Sequence, residues 1–185
     1  SLTRKTHEGN FGLAMGQELI LLPEWNEFAI PQGSDAPLTT GFTFHDNWQV
    51  HAIATKSQSY EFEPLEDDEF ITAFLNEHAP NSSAKPGNPE IQFWGCVRNN
   101  DGEIAAIGAV TEWESGEKLL SSVATHTNMR GQGFAQKLCA GIVGVSYDRG
   151  IDRLNLVVLS SNTAAITAYE KIGFKLLGKF ASFSR

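Results

Sequence analysis

Sulfur is scarce in this chain, with two cysteines and two methionines among 185 residues. Cys96 and Cys139 are too few for a disulfide framework, and Cys139 falls in an apolar helical stretch where a small buried thiol is the common case. No run of about 18 apolar residues occurs, so no membrane-spanning helix is expected. The first ten residues, SLTRKTHEGN, lack the apolar core of a signal peptide. From these absences a reduced, cytoplasmic protein is expected. Basic residues are outnumbered too: 14 Lys and Arg face 22 Asp and Glu, for a net charge of −8. General nucleic-acid binding needs a basic footprint, and this balance argues against it. The acidic balance mildly favours a cationic partner, although it also simply keeps a protein soluble. No spacing suggests a metal site, and His45 and His51 belong to no ligand pattern.

The length fits one domain, or one domain and a fragment of a second, and 41% apolar residues suffice for a core. Residues 1–59 read as an irregular, strand-rich N-terminal extension or the remnant of a second lobe. Their short apolar runs, ELILLPEW, EFAIP and WQVHAIAT, are separated by the turn-rich PQGSDAP. From residue 60 the punctuation is clearer. YEFEPL reads as a strand, and DDEFITAFLNEHAP as an amphipathic helix with acids at its positive end and Pro80 at its stop. IQFWGCV and EIAAIGAVTEW read as strands joined at NNDG, followed by a third strand, KLLSSVATHT. Phe134, Leu138, Ile142 and Val145 recur at helical spacing, and Gly150 suits a left-handed cap. LNLVVL is nearly all apolar, as a strand covered on both faces would be. Asn162 starts another helix, Gly173 closes it, and FKLLGKF begins a last strand. The order is strand, helix, three-strand meander, helix, strand, helix, strand, which defines a mixed α/β or α+β sheet.

Where KLLSSVATHT gives way to a helix the sequence reads RGQGFA, with glycines at 131 and 133. A helix start carries unpaired N–H groups and the positive end of the macrodipole. Glycines there let a phosphate approach without meeting a Cβ, and the side chain of Arg130 offers a charged contact. An ATP-binding loop needs a lysine and a hydroxyl after its second glycine. Phe134 and Ala135 hold those places, and the spacing does not fit the dinucleotide fingerprint either.

A second phrase, NTAAITAYEKIGF, lies one helix and one strand downstream. Together the two phrases resemble the GNAT superfamily of acyl-CoA-dependent N-acyltransferases. Arg130, Gly133 and Ala135 meet its Q/R-x-x-G-x-G/A motif. Asn162, Ala165, Tyr169, Gly173 and Phe174 meet N-x-x-A-x-x-x-Y-x-x-x-G-F. VATHTNMRG also resembles the family's approach to the turn, with Thr127 where proline is usual. The resemblance covers residues 60–185, taken as the acetyltransferase domain. It implies a mixed, mainly antiparallel twisted sheet flanked by helices.

By that resemblance, acetyl-CoA or coenzyme A is the cofactor. Its pyrophosphate is expected on the main-chain N–H groups of Arg130, Gly131, Gln132, Gly133, Phe134 and Ala135. Its pantetheine arm is expected along Val123, Ala124 and Thr125, with a polar contact from Asn162, which also reads as a helix N-cap. Tyr169 is implied as the general acid that protonates the departing thiolate. An attacking amine must lose a proton, and Glu117 is the candidate base, with Glu112 and Glu114 as others. His126 matches a family position where packing is the expected role. The expected reaction is direct attack of a primary amine, small or peptide-borne, on the thioester, with backbone N–H groups polarising the tetrahedral intermediate. The alternative is an acyl-CoA-binding or regulatory lobe that performs no transfer. Oligomeric state is open, a homodimer included.

Overall fold

The computed structural model describes residues 2–6, 9–13, 25–34 and 41–184. Ten strands run along these residues: β1 (Leu2–Thr6), β2 (Gly9–Leu13), β3 (Trp25–Pro31), β4 (Thr43–Ala54), β5 (Glu63–Pro64), β6 (Ile91–Arg98), β7 (Ile104–Glu112), β8 (Lys118–Thr125), β9 (Arg153–Leu159) and β10 (Lys175–Ser184). The helices are α1 (Asp68–His78), α2 (Phe134–Asp148) and α3 (Thr163–Ile172). All ten strands join one sheet in the order β1-β2-β3-β10-β4-β9-β8-β7-β6-β5. Pairing is antiparallel except at β2–β3 and β8–β9. The expected mixed, mainly antiparallel architecture is the one observed. The apolar run ELILLPEW lies largely outside the described residues.

Local chemistry explains several element ends. The Asp67 carboxylate accepts from Phe70 N at 2.9 Å and starts α1, while Asn162 does the same for α3 through Ala165 N at 3.2 Å. The NNDG turn closes because Asn99 Oδ1 accepts from the main-chain N–H groups of Asp101 and Glu103. Gly173, at φ 112°, ends α3 in a left-handed conformation.

Helices cover both faces of the sheet. On one, α1 sets Ile71, Phe74 and Leu75 against Trp94, Cys96, Ile107, Ala109 and Ala124. On the other, Leu138, Cys139, Ile142 and Val143 of α2 meet Leu154, Leu156 and Val158 of β9, and Ile166 and Tyr169 of α3 pack alongside. Each fully buried Leu, Ile or Phe in these layers contributes about 1.5–3 kcal/mol relative to exposure. The opposite face of β9 is covered as well, Val157 packing against Ala29, Val50 and Phe180. That accounts for its uninterrupted apolar run.

One feature differs from the expectation, and a second concerns how far the sheet extends toward the N-terminus. The strand expected at YEFEPL is only Glu63–Pro64, because Tyr60–Phe62 instead lie on α2. A Cβ at Gly141 would stand 2.3 Å from Glu61 O, and one at Gly144 would stand 2.1 Å from the Tyr60 ring. Tyr60 also donates to the Asp148 carboxylate at 2.6 Å. Second, β4 is hydrogen-bonded between β9 and β10. A boundary between residues 59 and 60 therefore does not coincide with any gap in the sheet.

Candidate active site

The parallel neighbours β8 and β9 are in register at one point, Leu119 opposite Asn155. Beyond it β8 continues along β7 to Thr125, while β9 continues along β4 to Leu159. The two strands part, so that among the described residues β8 past Leu119 is paired with β7 on one edge and is in register with no strand on the other. Val123, Ala124 and Thr125 lie on this diverging part. Ala124 is buried in the α1-side cluster, and Val123 packs against the α2-side core.

At the open end of the fork, β8 leads through a short 3-10 turn, Thr127–Met129, into Arg130–Gly133 and then α2. Gly131 and Gly133 have φ of 77° and 87°, a region that costs other residues about 1–2 kcal/mol. Glycine is thus demanded by the backbone itself, whether or not a ligand binds. A Cβ at either position would meet nothing within 4 Å, so the approach to the turn is open. Gly133 supplies no side-chain cap to α2, and no acid stands in its first turn. Both α1 and α3 have their N-termini capped by a side chain. The start of α2 therefore keeps uncapped N–H donors and an unneutralised dipole end, the requirements of an anion site. Phe134 anchors this end in the core. Ala135 is half-buried, and Gln132 Nε2 donates to Asn128 O at 3.2 Å.

The Arg130 side chain is directed elsewhere. Its guanidinium donates to His78 O, at the last residue of α1, at 2.6 Å. The His78 ring is buried, 4.3 Å from that of His126 and 4.5 Å from that of Phe74. His78 Nδ1 is 3.0 Å from Thr127 Oγ1 and 3.4 Å from Thr127 N. A proline at 127 would offer neither group, so the departure from the family pattern has a local partner. Burial lowers the pKa of His78, with His126 and Arg130 pushing the same way and Glu77 opposing. His126 itself accepts from Asn128 N at 3.3 Å and starts the 3-10 turn.

Midway along β8 the ladder slips. Ile107 faces Ala124 and Ala109 faces Ser121, so Ser122 and Val123 together oppose Gly108. This is a β-bulge, and Ser122 has φ of 50°, the one positive value at a non-glycine residue among those described.

Glu117 lies just before β8, beside the closed end of the fork. Its carboxylate accepts from Asn155 Nδ2, and Asn155 Oδ1 accepts from Arg153 Nε at 3.1 Å. Glu112 pairs with Lys118, and Glu114 is exposed in the turn. Tyr169 is half-buried on α3, 5.9 Å from the Phe174 ring. Burial raises its pKa, with Cys139 contributing, so its hydroxyl stays protonated. The turn thus joins the diverging half of β8 to α2, against which α3 packs. Glu117 belongs to the other end of the strand.

Sequence reasoning did not single out His78, Ser122 or Asn155. Asn155 left a signal, being the one polar residue inside LNLVVL. His78 and Ser122 left none, because their partners lie 49 and 38 residues away. Among the described residues, no group of three or more His, Cys, Asp or Glu is placed to hold a metal. No helix among them is long and apolar enough to cross a membrane.

With this geometry in view, the class of protein follows. Residues 47–174 match the acetyltransferase (GNAT) family, and the chain belongs to that family. It is similar to the uncharacterized N-acetyltransferase YsnE of Bacillus subtilis, at 29% identity over 97 residues. That match covers 51% of this chain and 63% of the relative. A GCN5-related N-acetyltransferase of Sphaerobacter thermophilus superposes with a TM-score of 0.62 at 22% identity, covering 86% of this chain and 58% of that one. A GNAT-family acetyltransferase of Colwellia psychrerythraea gives 0.62 at 16% identity, covering 87% and 65%. These likenesses carry the fold, and family membership supports acyl transfer in general.

Proposed function

We propose that this chain is an N-acetyltransferase that moves an acetyl group from acetyl-CoA to a primary amine. The observation that carries this is the open, side-chain-free start of α2 at the mouth of the β8–β9 fork. Main-chain N–H groups of Gly131–Ala135 would hold the pyrophosphate there. Main-chain groups of Val123–Thr125 on the side away from β7 would bind the arm, and Asn162 would lie near it. When bound, acetyl-CoA supplies the activated thioester. Tyr169 keeps its proton and is the proposed donor to the departing thiolate. Glu117, held by Asn155, is the proposed acceptor of the amine's proton. The acceptor is a small-molecule or peptide amine, and the free cysteines fit a reducing cytoplasm.

The test pairs calorimetry with coenzyme A and a thiol-release assay with acetyl-CoA over a broad amine panel. Binding with thiol release on adding an amine supports the proposal. Absence of both overturns it. Binding without turnover on any amine favours the non-catalytic lobe.

A further inference from the structure

Ser122 bridges two regions that the sequence keeps apart. Its hydroxyl accepts from Ala84 N at 2.9 Å and donates to Ala84 O at 2.8 Å. One side chain thereby satisfies both main-chain groups of a residue that is 1% exposed. A neighbouring strand would normally supply those bonds. Ala84 lies in the middle of the segment between α1 and β6. The ends of that segment have other ties: Ala79 N donates to Leu75 O at 2.8 Å, and Glu112 N donates to Glu90 O at 2.8 Å.

The cost of this bridge is visible in the backbone. Ser122 occupies the left-handed region without being glycine, and such a conformation persists only where its surroundings enforce it. It also sits in the bulge, where it and Val123 together oppose Gly108. Glycine would occupy this φ without strain, but only a hydroxyl-bearing side chain makes the bridge. The strain and the paired hydrogen bonds therefore have one explanation.

We infer that Ser122 is a positioning residue that ties the 79–90 loop, one of the surfaces that by the family resemblance would line the acceptor cleft, to the bulge of β8, the strand proposed to carry the cofactor arm. This rests on the acetyltransferase reading for the roles of the two sides, but not for the tie itself. Ser122 acts through Ala84 and exchanges no proton with a substrate.

Ser122→Gly removes the hydroxyl while relieving the backbone, so it is the variant expected to fold. Ser122→Ala removes the hydroxyl and keeps the strain. In the ligand-free protein, amide exchange at Ala84 is expected to quicken about tenfold or more in both variants. Unchanged exchange in Ser122→Gly overturns the tie. With acetyl-CoA and an accepted amine, KM for the amine is expected to rise about tenfold in Ser122→Gly, while coenzyme A affinity stays within about twofold. An equal loss of both affinities, or no change in either, overturns the positioning role. If the wild-type chain neither binds coenzyme A nor turns over, the acetyltransferase reading and the positioning role fail together. The exchange result still decides the tie.

Discussion

The guanidinium of Arg130 donates to the main-chain oxygen of His78 at 2.6 Å, joining the glycine turn to the C-terminus of α1. Helix ends leave carbonyl groups without intrahelical partners, and a cation there also complements the dipole. Arg130 is thus part of the scaffold before any phosphate arrives. Arg130→Ala is expected to lower the stability of the ligand-free protein by about 1 kcal/mol, read as a lower Tm. Were the arginine only a phosphate contact, the ligand-free Tm would not move.

His78 makes part of the stability pH-dependent. Burial holds its folded pKa below the ordinary 6.5. As pH falls below 6.5, the unfolded chain gains a proton before the folded one does. The contribution is therefore complete above pH 6.5 and declines as pH falls toward the folded value. Buried His51, also lowered by burial, acts in the same direction. Denaturant midpoints between pH 7 and 5 should fall less steeply in His78→Gln than in the wild type.

Tyr169 is raised above its ordinary 10.0. A group used as an acid must be protonated, so this tyrosine imposes no alkaline fall on kcat below about pH 10. Its linkage has the opposite sense to that of His78. Stability is complete below 10.0 and is lost as pH climbs from there toward the folded value. Tyr169→Phe is expected to cut kcat by about 10²-fold or more while coenzyme A affinity holds. An unchanged kcat would remove the tyrosine from the proton path.

Gly141 tests the seat of the Tyr60–Phe62 segment on α2. In Gly141→Ala the new methyl would collide with Glu61 O, a backbone atom with little freedom to retreat. Overpacking of this kind costs about 1–3 kcal/mol, despite the better helix propensity of alanine. A Tm equal to or above that of the wild type would contradict the packing described.

The elements legible in the sequence are those whose causes are local. Asp67 and Asn162 cap helices that begin within three residues of them, and the NNDG turn is closed by Asn99 and its neighbour Arg98. At Gly131 and Gly133 the chain's need for positive φ is written directly as glycine. The site's other parts depend on contacts that no window of sequence contains. Placing β4 between β9 and β10 brings His51 opposite Leu156 and Leu176, a separation of more than a hundred residues. Arg130 was legible as a cation beside a turn, yet its direction depends on where α1 ends against the sheet. Ser122 and Asn155 owe their partners to a bulge and to the single point where two strands meet. Capping and turn preferences act within a few residues, so they survive in any reading of the chain. Burial and cross-strand hydrogen bonds exist only once distant segments share a core, and it was there that the fork, the tie to Ala84 and the partner of Glu117 were settled.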